Sequence, residues 1–155
     1  MGLGDSFDEA FAKAALAIGE RLPAQGTAFM SVRDVDKPGA AKVARDLVEA
    51  GFKVIATTGT AKALEADGVA VERVNKVREG RPHIVDAIKN GQVQLIINTT
   101  EGRKAISDSA QIRQSALQTK VTYTTTLAGG EAFCRAIKFG PERTVRRLQD
   151  LHAGK

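Results

Sequence analysis

The feature that most constrains the fold is a regular alternation of two apolar patterns. Short runs dense in apolar and β-branched residues fall at 27–33, 52–56, 69–74, 93–97 and 120–124. Between them lie segments whose apolar residues recur at helical spacing: Ala41, Val43, Ala44, Leu47 and Val48; residues 61–66; Ile84, Val85 and Ile88; Ile112, Ala116 and Leu117; and a run from about Glu131 to Lys138. Strand followed by helix, five times over, predicts a parallel sheet covered on both faces, with right-handed crossovers. The fold class is therefore three-layer α/β/α with a five-stranded parallel sheet. Residues 93–97 are the most apolar run and are expected to be central. Strand order cannot be read from the pattern.

The helices carry boundary signals. Ser6 and Glu9 have capping-box spacing ahead of Phe7, Phe11, Ala14 and Ile18, which predicts an amphipathic lead-in helix ending before Gly19. No strand precedes it, so it is expected to pack on the domain's edge or to belong to a preceding domain. Residues 1–22 are assigned to this lead-in and 23–155 to the α/β domain. Asp108 is expected to cap the helix of Ile112, Pro82 to sit in the first turn of the helix of Ile84, and Pro141 to open a last helix with Val145, Leu148 and Leu151 on one side.

In a parallel sheet every strand ends on the same edge, and ligands bind there. Here the strand exits are the polar connections: Arg33 to Lys37, Thr57-Thr58-Gly59-Thr60, residues 75–81, residues 98–103, and Thr124 to Thr126. The returns from helix to strand are plainer, often a single glycine. This asymmetry predicts an anion-binding rim. Thr57-Thr58-Gly59-Thr60 can form a backbone nest for an anion or simply cap a helix; it lacks the Gly-Lys-Ser/Thr ending of a Walker loop. Lys76 suits a phosphate but also suits solvent. Arg78 and Arg81 can make bidentate contacts, or pair with Glu79 or Glu72. Asn98 can read a base or sugar edge, or close a turn.

Composition limits the remaining classes. The 155 residues, 43% of them hydrophobic, suffice for one domain with a real core. Net charge is +5 and the sequence pI about 9.6, which suits an anionic ligand. Aromatic residues are only 5% and tryptophan is absent, so a stacking platform for nucleic acid is poorly supplied. Cys134 is the only cysteine, excluding an internal disulfide and a cysteine metal cluster. With two histidines, His83 in a helix's first turn and His152 near the tail, neither a metal site nor a serine–histidine triad is expected. No apolar run is long enough to cross a membrane, and no signal peptide is read, so a cytoplasmic location without membrane association is expected.

Several stretches carry a family resemblance: residues 3–14, Val74-Asn75-Lys76-Val77, Glu79-Gly80-Arg81-Pro82-His83-Ile84, Ile96-Ile97-Asn98-Thr99-Thr100, and 115–130. Together they resemble the C-terminal allosteric domain of the carbamoyl-phosphate synthase large subunit, which has the methylglyoxal synthase-like fold. The likeness implies a non-catalytic regulatory fragment of a ligase, without a cofactor of its own. Its implied effectors are UMP, IMP and ornithine, acting on carbamoyl phosphate synthesis for the pyrimidine and arginine pathways. Its implied protein partners are the rest of the large subunit and the glutaminase small subunit, and it allows a homo-oligomer. Carried over by position, Lys37, Thr57, Thr60 and Lys76 would hold the effector phosphate, and Asn98, Thr100 and Ser109 would lie along ribose and base. Tyr123 and Thr125 would be this domain's share of an ornithine site. Thr58 and Arg78 stand where the family has histidines, and Thr124 where it has an aspartate. The alternative on the same fold is a methylglyoxal synthase-type lyase acting on dihydroxyacetone phosphate. That chemistry needs a carboxylate base and a histidine partner. Arg81 stands where the carboxylate is expected, and the 104–110 loop offers Asp108 but no histidine.

Overall fold

The computed structural model describes residues 1–20, 22–140, 145 and 147–152. Five parallel strands form one sheet: β1 (Gly26–Ser31), β2 (Phe52–Ala56), β3 (Glu72–Arg73), β4 (Leu95–Asn98) and β5 (Thr122–Thr124), in the order β3-β2-β1-β4-β5. The helices are α1 (Phe7–Ala17), α2 (Lys37–Glu49), α3 (Thr58–Ala66), α4 (Ile84–Lys89), α5 (Gly102–Asp108), α6 (Ala110–Thr119), α7 (Leu127–Phe139) and α8 (Leu148–His152). One turn of 3₁₀ helix, Asp34–Asp36, leads into α2.

The sheet separates two cores, because alternate residues of a strand face opposite sides. Ala28, Met30, Val54, Ala56, Leu95 and Ile97 pack on one side against α2, α3 and α7. Phe29 and Ile96 pack on the other against Ile84, Val85 and Ile88 of α4 and Ile112 and Ala116 of α6. The three-layer α/β/α expectation holds. The middle strand, however, is β1 rather than β4. Both are sealed on both faces, so apolar density alone does not rank them.

The edge strands are shorter than their apolar runs. Of 69–74 only Glu72 and Arg73 pair with β2, and both are exposed. Val69 is buried without being in the strand, because the chain comes off α3 into the core before it reaches the sheet. Lys120, read as strand, is the left-handed residue (φ 55°) that closes α6. Leu117 is 78% exposed and Val48 is 41% exposed, so both leave the stripes assigned to them. α7 begins at Leu127, four residues earlier than its apolar pattern, with Thr126 accepting from Gly129 N at 3.0 Å. A Cβ at Gly130 would stand 2.6 Å from Ile97 Cδ1, so the glycine lets α7 lie directly on β4.

Ser6 caps α1 as expected, accepting from Glu9 N at 3.2 Å. The reciprocal half differs: Glu9 accepts from Asp5 N at 2.9 Å and binds Lys13 Nζ at 2.6 Å. α1 lies on α7 through Phe11 and Phe133, while Phe7 is half exposed under the Arg135 guanidinium. Asp108 ends α5 rather than capping α6, whose N-cap is Ser109. Pro82 precedes the N-cap of α4, which is His83; His83 Nδ1 accepts from Asp86 N and Asp86 Oδ2 from His83 N. Pro141 lies outside the described residues, and Val145 is exposed ahead of the short α8.

Candidate functional site

The C-terminal edge of the sheet carries a cleft of about 720 Å³. Its walls are the strand exits: Ser31 to Asp34 after β1, Thr57 after β2, Lys76 to Glu79 after β3, and Asn98 to Glu101 after β4. Ala105 of α5, Ser109 and Ile112 of α6 complete it. The strand topology alone brings these segments together, since they are spread over some eighty residues of chain.

Thr57 is the N-cap of α3, but its side chain makes no capping bond. Its hydroxyl is buried and lies sideways, 3.3 Å from Ser31 Oγ and 3.4 Å from Thr60 Oγ1, with one hydrogen to give to either. The first-turn amides of a helix have no intrahelical partner, so this end of α3 favours an anion. Lys76 reaches the cleft from a loop that is tied to itself: Glu79 accepts from Lys76 N at 2.8 Å, and Glu79 N donates to Lys76 O at 3.0 Å. That knot uses the Glu79 carboxylate on backbone. Gly80 takes φ 103° in the same loop, a conformation costly for a side-chain-bearing residue.

Asn98 is 1% exposed at the end of β4, and its Nδ2 has no hydrogen-bond partner. An unpaired buried donor costs about 1–3 kcal/mol, so a ligand group that accepts from this residue's amide, or turns it, would recover free energy. Thr99 Oγ1 accepts from Arg33 N at 3.0 Å and so holds the β1 and β4 exits side by side.

Of the residues named from sequence, Thr57, Lys76, Asn98, Thr100 and Ser109 all line this cleft. Thr60 stands behind Thr57, its Oγ1 accepting from Val32 N at 3.0 Å. Lys37 opens α2 beside the start of α3, and its ammonium pairs with Asp34 at 2.6 Å. The Lys37 ammonium, with Lys76 further off, holds the Asp34 carboxyl below the ordinary carboxylate range. Tyr123 and Thr125 lie outside the cleft lining, on β5 and the turn after it. Arg81 also lies outside it; it is exposed and 3.7 Å from Asp86, not paired with Glu79 or Glu72. Arg78 does line the cleft.

Sequence reading put Arg33, Val77 and Glu101 on the rim segments but gave them no role there, and it missed Ile112 as a wall residue. Arg33 is held by Asp36 at 2.8 Å, which raises its pKa further above the usual guanidinium value. Val77 had a visible signal, an apolar residue set between cations. Ile112 had none, because it reads as one more core position on a helix. Among the described residues no group of three or more His, Cys, Asp or Glu side chains could hold a metal ion. Nor is any helix among them long and apolar enough to cross a membrane.

Residues 39–125 match the model of the MGS-like domain, more than half the chain. The chain belongs to the MGS-like domain family. Over 99% of its length this MGS-like domain is 68% identical to the carbamoyl phosphate synthase large chain of Pseudomonas putida and 67% identical to that of Pseudomonas aeruginosa. It is 57% identical to the corresponding chain of Halomonas eurihalina. The domain spans 14% of the length of the two Pseudomonas relatives.

Proposed function

We propose that this domain is a regulatory module of a carbamoyl phosphate synthase large chain and that its cleft binds nucleoside monophosphate effectors, UMP and IMP. The observation that carries the reading is the pairing of unlike groups in one cleft: the anion-favouring start of α3 and Lys76 at one wall, the buried, unpartnered Asn98 amide at another. A phosphate alone has no use for Asn98; a nucleoside attached to it does. Thr57 and Lys76 serve the phosphate from the cleft wall, with Thr60 and Lys37 behind them on this reading, and Asn98, Thr100 and Ser109 serve the ribose and base. Val77 and Ile112 supply apolar surface for the base. High identity over the whole domain to large chains of the synthase supports the assignment to that enzyme.

Regulation follows by linkage. An effector that prefers one conformation of the synthase shifts the population of conformations by its difference in affinity, and no more. The partners on this reading are the rest of the large chain and the glutaminase small chain, with pyrimidine and arginine synthesis downstream. Tyr123 and Thr125 contribute to an ornithine site that other parts of the large chain complete.

Calorimetric titration of UMP and IMP into the 155-residue chain tests the reading. Saturable binding of either, weakened by Asn98→Ala, is expected. No binding of either at millimolar concentration overturns it. Among the described residues the carboxylates on the cleft walls are Asp34, Glu79 and Glu101. Formation of methylglyoxal from dihydroxyacetone phosphate, abolished by replacing one of them, would make the cleft a lyase site instead.

A further inference from the structure

β1 is the middle strand, and its exit, Ser31 to Asp34, runs between two walls of the cleft. Thr57 and the start of α3 stand on one side, after β2; Asn98 to Thr100 stand on the other, after β4. Both ladders continue a step past the strand ends: Met30 O accepts from Thr57 N at 3.3 Å, and Ser31 O from Thr99 N at 3.0 Å. There the backbones part, since β2 turns into α3 and β4 leads away to α5. The next two amides of the exit go to side chains. Val32 N donates to Thr60 Oγ1 and Arg33 N to Thr99 Oγ1, each at 3.0 Å. One threonine hydroxyl from each neighbour thus stands in for the carbonyl that a longer ladder would supply.

Thr60 and Thr99 are both buried. Thr60 lies in the first turn of α3, next to Thr57, and so ties the anion-favouring wall to β1. Thr99 holds β1 twice, through its own amide and through its hydroxyl. It is also the residue between Asn98 and Thr100, so those two cleft residues sit where Thr99 sits. The exit segment is fixed lengthwise as well: Arg33 O accepts from Asp36 N at 3.1 Å, and Arg33 Nε donates to Asp36 Oδ2 at 2.8 Å. A ligand that bridges two walls gains from its second contact only where their separation fits its length.

We propose that Thr99 is a positioning residue of the cleft: with Thr60 it clamps the β1 exit from both sides and so sets the distance between the phosphate wall and the nucleoside wall. Its hydroxyl faces the Arg33 amide and need not touch the ligand. The clamp favours a molecule that carries phosphate and nucleoside at a fixed span over either part alone. The choice of ligand rests on the effector-binding reading; the clamp itself does not.

Thr99→Val keeps the outline of the side chain and removes the acceptor. Arg33 is exposed, so its amide can take water instead and the fold is expected to survive. Three ligands are titrated into the folded variant: UMP by calorimetry, and inorganic phosphate and uridine by shifts in a ¹H–¹⁵N spectrum. UMP affinity is expected to fall roughly three- to tenfold, the range for one hydrogen bond. Phosphate and uridine, each confined to one wall, are expected to bind as they do to the wild type. In the ligand-free variant the Arg33 amide is expected to exchange faster with solvent. Thr99→Ser retains the acceptor and is expected to restore both UMP affinity and Arg33 protection. Unchanged UMP affinity in Thr99→Val overturns the positioning role. So does a fall for phosphate or uridine as large as that for UMP, since the hydroxyl would then serve one wall only. A serine variant as weak as the valine variant assigns the loss to packing and overturns it too. A wild-type chain that binds no nucleotide overturns the effector reading and the span selection with it, while unchanged Arg33 exchange in Thr99→Val overturns the clamp itself.

Discussion

Thr60→Val removes one hydroxyl from the junction on which the anion-favouring wall depends. Thr60 is 2% exposed, and its Oγ1 is the acceptor for Val32 N at 3.0 Å, itself almost fully buried at the end of the β1 run. Valine has the same outline, so no cavity opens. The Val32 N–H is left unpaired, a loss of about 1–3 kcal/mol. Thr57 also loses one of its two alternative hydroxyl partners, keeping Ser31 Oγ. For a domain of this size each kcal/mol lowers Tm by about 2–4 °C, so the melting temperature should fall by roughly 2–12 °C. In urea the midpoint should fall with the slope unchanged, because the surface exposed on unfolding is the same. Thr60→Ser keeps the acceptor and should recover most of the loss. Thermal melts and urea titrations of the two variants measure this. A Thr60→Val chain that melts with the wild type would refute the fastening of β1 to α3 through this hydroxyl.

Lys76→Ala should leave the fold intact and weaken UMP and IMP binding by about 1.5–3 kcal/mol, roughly ten- to a hundredfold, as read by calorimetry. Asp34→Asn should do the opposite. It frees the Lys37 ammonium from a carboxylate 2.6 Å away, and nucleotide affinity should rise about two- to fivefold, less at high salt; weaker binding would mean that Asp34 serves the ligand. Cys134 is 1% exposed and its thiol is pushed up to about 12 chiefly by burial, so a thiol reagent at pH 8 should label it only as fast as the chain unfolds. Ornithine should bind the isolated chain very weakly or not at all, since Tyr123 and Thr125 bring no carboxylate for its two ammonium groups. Micromolar ornithine binding in calorimetry would show that Glu101 or Glu131 completes the pocket locally.

Taken by itself, the sequence determined the layered class of this protein and the edge of the sheet where its cleft lies. Both follow from periodicity and from which connections are polar, and these are local properties of the chain. The apolar runs of β1, β2 and β4 and the helical stripes of α2 and α4 were legible for that reason. Thr57 and Lys76 were legible too, because each sits at a strand exit just before a helix or in a cationic loop. Asn98 was legible at the exit of β4, and family likeness added roles for Thr100 and Ser109. The tertiary structure decided the rest. Strand order, and with it β1 rather than β4 at the centre, depends on which sealed strands pair, and several apolar strands satisfy the same pattern. The short ladders of β3 and β5 follow from their places at the two edges, where only one neighbour offers hydrogen bonds. Leu117 reads as core but faces solvent, because α6 meets the sheet through Ile112 and Ala116 and turns Leu117 away. The division of labour between Thr57 and Thr60, one lining the cleft and one holding Val32, is a matter of ångströms between two identical side chains within four residues. Spacing along the chain does not encode such a difference; the packing of α3 against the end of β1 does.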